Sequence, residues 1–168
     1  KLAASIRAPQ PDGTRALDLE GLAWHDGALF VGVKAPLDAD GNALVWKIGA
    51  PAALFEGGPA KADVALWGRV KVDVEVGGKA VPGGISDLLF FPDGTLAIAS
   101  TPSTAEGAAG ALWRVDKPQG GTLSPKLVQR FPSLKPEGLS PSLTAGKLMI
   151  VFDTGAEAPL FQEIAWAP

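Results

Sequence analysis

The chain has 168 residues, of which 46% are hydrophobic and 20% charged, and its formal net charge is −3 at pH 7. Because 18 acidic residues outnumber 15 basic ones, we expect no strongly positive surface for phosphate neutralisation and no nucleic-acid partner. No apolar run approaches the roughly 18 residues of a membrane-spanning helix, so no membrane partner is expected. The absence of cysteine excludes disulfides and thiol chemistry and leaves the compartment undetermined.

Glycine and proline indicate the fold class. The chain contains 21 Gly and 15 Pro along its length, and both residues interrupt helices and favour short strands joined by turns. We therefore predict an all-β fold. The first residues, KLAASIR over 1–7, resemble the later segment KLVQRF over 126–131. Residues 1–9 are accordingly predicted to form the last strand of a preceding unit.

The first complete unit begins with a hairpin over 20–31, EGLAWHDGALFV, in which Asp26 and Gly27 separate two apolar runs. Asp-Gly in this setting is a strong hairpin signal, because a type I′ turn needs positive φ at both central residues. The third and fourth strands are predicted over 44–48 and 66–76, within a unit spanning 17–77.

Two later segments repeat this pattern. The second starts at Asp87 and carries Asp93-Gly94 at the same spacing, whereas the third starts at Glu137 and has a turn two residues longer. Each continues to a third strand around a tryptophan. The units are predicted over 84–132 and 134–168. The tryptophans, interpreted as packing residues of a repeat core, are Trp46, Trp113 and Trp166.

Repeated units of four antiparallel strands are typical of the blades of a β-propeller. The prediction is about three blades in this chain, which is expected to start one strand early and to stop one strand short. Closed propellers have about four to eight blades. We therefore predict a larger ring, six-bladed in one interpretation, whose missing half is either the N-terminal part of the same protein or a second copy of the chain.

Polar residues recur where the first strand of a blade starts and the second ends, which is one mouth of the central channel. The acidic ones, predicted as oxygen ligands of a Ca²⁺-like ion, are Glu20, Asp87, Glu137 and Asp153. The other two, predicted to contact a small-molecule ligand, are Lys34 and Thr101. An alternative is that each acid accepts backbone amide hydrogens from the neighbouring blade and joins the blades together. Both interpretations remain open.

Three segments carry a resemblance to known proteins: LEGLAW over 19–24, LFVGVKAP over 29–36 and PEGLSP over 136–141. They are similar to an uncharacterised bacterial β-propeller family, domain of unknown function 3616, and more distantly to esterase-like phytase and gluconolactonase-type six-bladed propellers. The resemblance implies a bacterial, periplasmic or secreted propeller. In the lactonase group the Glu of each Glu-Gly start is a metal ligand, which implies that role for Glu20 and Glu137. The second repeat has Asp87-Leu88 in place of Glu-Gly.

Three functions are consistent with this pattern. The leading hypothesis is a propeller that binds a small ligand at the channel mouth through a Ca²⁺-like ion. The first alternative is a metal-assisted hydrolase of the ester, lactone or phosphate ester type. The second is a metal-free protein-interaction platform, which predicts an exposed apolar patch on one face.

Two further motifs are interpreted as structural. His25, the single histidine, is predicted to be a solvated turn residue at the opposite mouth, so no Ser-His-Asp triad is expected. The segment DADGN over 38–42 begins like a calcium loop, but Gly is absent from the sixth position and Glu from the twelfth. It is predicted to be a polar turn.

Overall fold

The computed structural model describes residue 6 and residues 16–56, 61–103, 107–155 and 157–166. Within these ranges the chain forms strands and one short helix, so the all-β fold is confirmed. The strands are β1 (Asp18–His25), β2 (Ala28–Ala35), β3 (Ala43–Ile48), β4 (Val64–Val70), β5 (Val74–Val76), β6 (Lys79–Val81), β7 (Gly83–Phe90), β8 (Leu96–Pro102), β9 (Gly110–Val115), β10 (Gly121–Thr122), β11 (Lys126–Phe131), β12 (Lys135–Pro141), β13 (Lys147–Asp153) and β14 (Leu160–Ala165). The helix is α1 (Ala53–Glu56). No helix in the described ranges is long and apolar enough to cross a membrane.

Sheet 1 is an antiparallel meander, β1-β2-β3-β4, to which the two-residue strand β10 is added parallel to β4. The β1–β2 turn is Asp26-Gly27, whose φ angles of 46° and 75° are both positive, as a type I′ turn requires. This turn lies where the Asp-Gly pair predicts it. The strand β10 was not predicted, because two residues carry no periodic signal.

Sheet 2 is antiparallel throughout, in the order β7-β8-β9-β11. Its first turn differs from the prediction, because a loop over 91–95 joins β7 to β8 in place of a two-residue Asp-Gly turn. The Phe91 amide donates to the Thr95 carbonyl at 2.8 Å, and Asp93 Oδ1 accepts the Thr95 amide at 2.9 Å. Within this loop only Gly94 takes a positive φ, 83°.

Sheet 3 is the meander β12-β13-β14, and β5-β6 is a separate hairpin. The fourth strand predicted over 66–76 is therefore wrong in its second half. The strand β4 ends at Val70, and β5 pairs with β6 across Gly77 and Gly78, which adopt positive φ angles of 57° and 77°. Two successive glycines make this tight reversal sterically possible.

The three meanders pack face to face through apolar clusters. Phe30 of sheet 1 and Ile85 of sheet 2 belong to one cluster, whereas Leu112 of sheet 2 and Ile150 of sheet 3 belong to another. A further cluster covers the second face of sheet 1 and includes Ile6. The other residues of the strand predicted over 1–9 lie outside the described ranges.

The first strands of the three sheets lie side by side. Each of β1, β7 and β12 is an edge strand of its own sheet, and β7 contacts both β1 and β12. At this junction Gly84 of β7 approaches β2 so closely that an added Cβ would overlap the carbonyl oxygen of Lys34. The backbone of one sheet therefore touches the backbone of the next without an intervening side chain.

The repeat tryptophans pack in the apolar clusters, in agreement with the sequence interpretation. Trp46 and Trp166 are buried, and Trp166 stacks on Phe91 with ring centroids 5.2 Å apart. Trp113 Nε1 donates to Ser100 Oγ at 2.8 Å. The three indole rings therefore contribute to the packing of the apolar clusters.

Candidate functional site

A β-bulge lies near the start of the first strand of each sheet. The pairing of β1 with β2 skips Glu20, that of β7 with β8 skips Ser86, and that of β12 with β13 skips Glu137. A bulge re-aims the side chain of the extra residue and is common beside functional sites. Glu20, Ser86 and Glu137 are therefore structurally equivalent.

This register differs from the sequence alignment in sheet 2. The alignment of the sequence repeats makes Asp87 equivalent to Glu20 and Glu137. In the structure Ser86 is the bulged residue, and Asp87 follows it. The reason is the β7–β8 loop over 91–95, which is longer than the two-residue Asp-Gly turn predicted for the first and second repeats. A ring of three equivalent carboxylates is thus not formed, because its middle position is a serine.

Glu20 is paired with Lys34. Lys34 Nζ lies 2.8 Å from Glu20 Oε1, and the two side chains are 17% and 25% exposed. Burial works against the ammonium charge, but the hydrogen bond and charge of Glu20, with weaker contributions from Glu137 and Asp18, raise the pKa of Lys34 above its usual value. The second oxygen, Glu20 Oε2, is buried and has no hydrogen-bond partner among the described residues.

Glu137 lies within electrostatic range of this pair. Burial raises the pKa of Glu137, and the charges of Glu20 and Asp153 raise it further, against the opposing effects of Lys34 and Lys135. Asp153 is exposed, and its Oδ1 accepts the Gly155 amide at 2.8 Å. We refer to Glu20, Lys34, Glu137 and Asp153 together as the mouth cluster.

Asp87 joins the three edge strands. Its Oδ2 accepts the Leu139 amide of β12 at 2.7 Å, and its Oδ1 accepts the amide of Leu88 at 2.8 Å. Burial raises the pKa of Asp87, while these amides and that of Leu22 in β1 oppose the rise. Ser86 adds a second link to β12, because its Oγ donates to the Pro136 carbonyl at 2.6 Å. At this position the amide-bonding alternative describes the geometry.

Thr101 is buried beside the mouth cluster. It is 1% exposed and pairs across the strands with Gly84, the residue that touches the Lys34 backbone. Its Oγ1 has no hydrogen-bond partner among the described residues. Thr101 is therefore a buried hydroxyl next to Lys34 and not an exposed contact residue.

The arrangement does not fit a calcium ion. Within the described ranges, no group of three or more His, Asp or Glu side chains is placed to hold a metal. The Lys34 ammonium already provides the positive charge at Glu20, and both oxygens of Asp87 accept backbone amides. Calcium prefers six to eight oxygen ligands, which this set of side chains does not offer.

The two motifs interpreted as structural have different outcomes. Asp38 Oδ1 accepts the amides of Asp40 and Asn42 at 3.0 and 2.8 Å, so residues 38–42 form the predicted polar turn. His25 is not a solvated turn residue, because its ring stacks on Phe90 at 4.3 Å with an interplanar angle of 6°.

The sequence analysis did not identify Ser86 as the residue equivalent to Glu20 and Glu137. The available signal was Pro92, the residue that lengthens the loop between β7 and β8.

Comparisons with known proteins give no relative. No protein-family model matches the chain, and neither curated proteins nor solved structures contain a match.

Proposed function

We propose that the three meanders are successive blades of a β-propeller. The proposal is supported by three sheets that pack face to face, each with its first strand at an edge, and by the contacts of β7 with β1 and β12. Asp87 accepts amides from neighbouring edge strands, as expected where strands surround a channel. The resemblance to the uncharacterised bacterial propeller family and to six-bladed relatives belongs to this proposal.

The ring would be completed by another set of blades, from the same protein or from a second copy. Apolar side chains at both ends of the stack support this idea. Leu22 and Trp24 of β1 are 58% and 62% exposed, and Val151 and Phe161 of sheet 3 are 39% and 69% exposed. We assign these residues to contacts between blades. We therefore do not propose a separate protein-interaction platform, which would need an exposed apolar patch of its own.

The function we propose is binding of a small polar ligand at the mouth cluster, without a metal ion. The observation that carries it is Glu20 Oε2, a buried carboxylate oxygen without a partner among the described residues. A buried acceptor of this kind is costly unless a donor reaches it. Together with half-buried Glu137, it favours a ligand with ammonium or hydroxyl donors, such as an amine or an amino polyol.

A binding experiment tests this function. Calorimetric titration with a panel of primary amines and amino sugars is expected to give saturable binding, and Glu20→Gln and Glu137→Gln should each weaken it about tenfold or more, as for hydrogen bonds to charged groups. Glu163→Gln on exposed β14 is the matched control and should bind normally. If only Ca²⁺ saturates the site, the metal-dependent alternative replaces this proposal; if no probe saturates, the proposal fails.

A hydrolase is a second candidate, favoured by the raised pKa of Glu137. A carboxyl group that retains its proton at higher pH is suited to donate that proton to a leaving group. In this candidate a water molecule adds to the carbonyl carbon of a bound ester or lactone, and Lys34 stabilises the negative charge that develops on the carbonyl oxygen. Glu137 protonates the leaving oxygen as its bond to the carbonyl carbon breaks, and the proton lost by the water restores Glu137. Turnover of an ester and lactone panel that is abolished in Glu137→Gln and retained in Glu163→Gln would support it, and absence of turnover would reject it.

A further inference from the structure

A pocket lies at the end of sheets 1 and 2 opposite the mouth cluster. It has a volume of about 420 Å³ and is bounded by the β1–β2 turn, the β7–β8 loop and the connection from β9 to β10. Glu20 and His25 lie five residues apart on β1, a distance of about 17 Å along a strand. The pocket is therefore separate from the mouth cluster. Its volume falls within the range of about 300 to 1,000 Å³ that is usual for small-molecule sites.

The floor of the pocket is a cluster of four rings. His25 stacks on Phe90 at 4.3 Å, and Phe30 contacts both Phe90 and Trp67, with centroid distances of 4.8 and 4.9 Å. Phe30 is 4% exposed, so it forms the base, while His25, Trp67 and Phe90 are only partly buried. The floor thus offers aromatic surface to the pocket.

Trp67 reaches this floor because of a bulge. The pairing of β3 with β4 changes register between Val45 and Trp46, and Trp67 is the residue that it skips. The connection that bounds the pocket lies against the same indole, since a Cβ on Gly120 would be 2.9 Å from the Trp67 carbonyl oxygen and 3.1 Å from its Nε1. The connection from β9 to β10 therefore packs directly against Trp67 at Gly120.

The rim of the pocket carries balanced charges. Lys47 and Lys117 provide two positive charges, and Asp26 and Asp93 provide two negative ones. All four are exposed, as is Gln119, whose amide can both donate and accept. The two aspartates would repel an anionic ligand, and the two lysines would repel a cationic ligand. A neutral ligand with many hydroxyl groups can use donors and acceptors of both kinds.

We propose that this pocket binds a neutral carbohydrate, with one or two sugar rings lying against the rings of Trp67 and His25. The apolar C–H face of a sugar ring packs on an aromatic surface, and its hydroxyl groups hydrogen-bond to carboxylate, ammonium and amide side chains around it. The floor and the rim supply these two halves of the recognition. The site is independent of the function proposed for the mouth cluster.

Saturation-transfer difference NMR and calorimetric titration with methyl glucosides, methyl galactosides, maltose and cellobiose test this proposal. We expect at least one of these sugars to bind saturably at millimolar concentration or below. Gln119→Ala and Lys117→Ala remove exposed side chains and should each weaken binding about two- to tenfold, the effect of one hydrogen bond. Trp67→Phe retains a ring that fits the floor and should also weaken binding.

Two controls make the result specific. Trp24→Phe changes a tryptophan that is 62% exposed and outside the pocket lining, and Glu137→Gln changes the mouth cluster; both should bind the sugar normally. The proposal is overturned if no sugar saturates, if adenosine binds in place of sugars, or if the three pocket variants bind as tightly as the unchanged protein. Loss of sugar binding in Glu137→Gln would also overturn the proposal, because it would show that the sugar binds at the mouth cluster.

Discussion

At the residue scale, Asp87 shows how one buried carboxylate can serve as a structural link. Edge strands leave backbone amides without a ladder partner, and such amides are costly when buried. Asp87 accepts the amide of Leu139 from β12, and the amide of Leu22 in β1 also stabilises its charged form. One side chain therefore accepts backbone amide hydrogens from the edge strands on both sides of β7.

Asp87→Ala is expected to lower the free energy of unfolding by about 2 to 3 kcal/mol, since it leaves amides unpaired that now donate to a charged group. Asp87→Asn, which keeps one carbonyl acceptor, should lose less. Asp40→Ala in the exposed 38–42 turn is the control and should change stability by less than about 0.5 kcal/mol. Urea unfolding measures these differences, and an Asp87→Ala variant as stable as the control would contradict the linking role.

The repeat pattern could predict which residues of the mouth cluster lie near one another, because hairpins of similar length return the second strand to the same end. It could not predict how those residues are used. The ion pair of Glu20 with Lys34 and the amide bonds of Asp87 depend on contacts between sheets. The equivalence of Ser86 with Glu20 depends on a loop length that the Asp-Gly signal concealed.

At the element scale, the packing of sheet 1 on sheet 2 depends on glycine at points of closest approach. Gly21 of β1 faces the next sheet, and an added Cβ would lie 2.8 Å from Ile85 Cγ2. Gly138, which follows the equivalent bulge in β12, has room for a Cβ, with Val151 Cβ at 3.8 Å. The equivalent glycines thus differ in whether another sheet of the described chain covers them.

Gly84→Ala and Gly138→Ala test this packing at a covered and at an open position. The first introduces a methyl group against the Lys34 carbonyl, a backbone atom that cannot rotate away, and should cost about 3 kcal/mol or more. The second should be within about 0.5 kcal/mol of the unchanged protein. Neither glycine has a positive φ, so backbone strain does not enter. Equal thermal stability of the two variants would show that the β2–β7 approach is looser than described.

At the scale of the whole molecule, the mouth cluster makes stability depend on pH. The pKa of Glu137 is raised from 4.5 in the folded state, so between pH 4.5 and the raised value the folded state binds more protons than the unfolded chain. The free energy of unfolding therefore falls as pH rises through this window. Above it the destabilisation is fully present.

Glu137→Gln removes this titration. The variant should match the unchanged protein below pH 4.5 and be more stable than it at neutral pH, as measured by urea unfolding across the range. Glu163→Gln provides a control of opposite sign, because hydrogen bonds from Ser142 and Lys147 lower the pKa of Glu163. The stabilisation provided by the ionised Glu163 carboxylate is present at neutral pH and lost in acid. A Glu137→Gln variant with an unchanged pH profile would refute the assignment.

The outer edges of the sheets differ in how well they resist pairing with another chain. Sheet 2 ends in β11, whose pairing with β9 has a bulge at Val128 and which carries Lys126 and Arg130. Sheet 3 ends in β14, whose pairing with β13 has no register shift and which exposes Leu160 and Phe161. A regular, apolar edge strand is a template for intermolecular β-sheet. When heat or denaturant loosens the fold, aggregation is therefore expected to begin at β14.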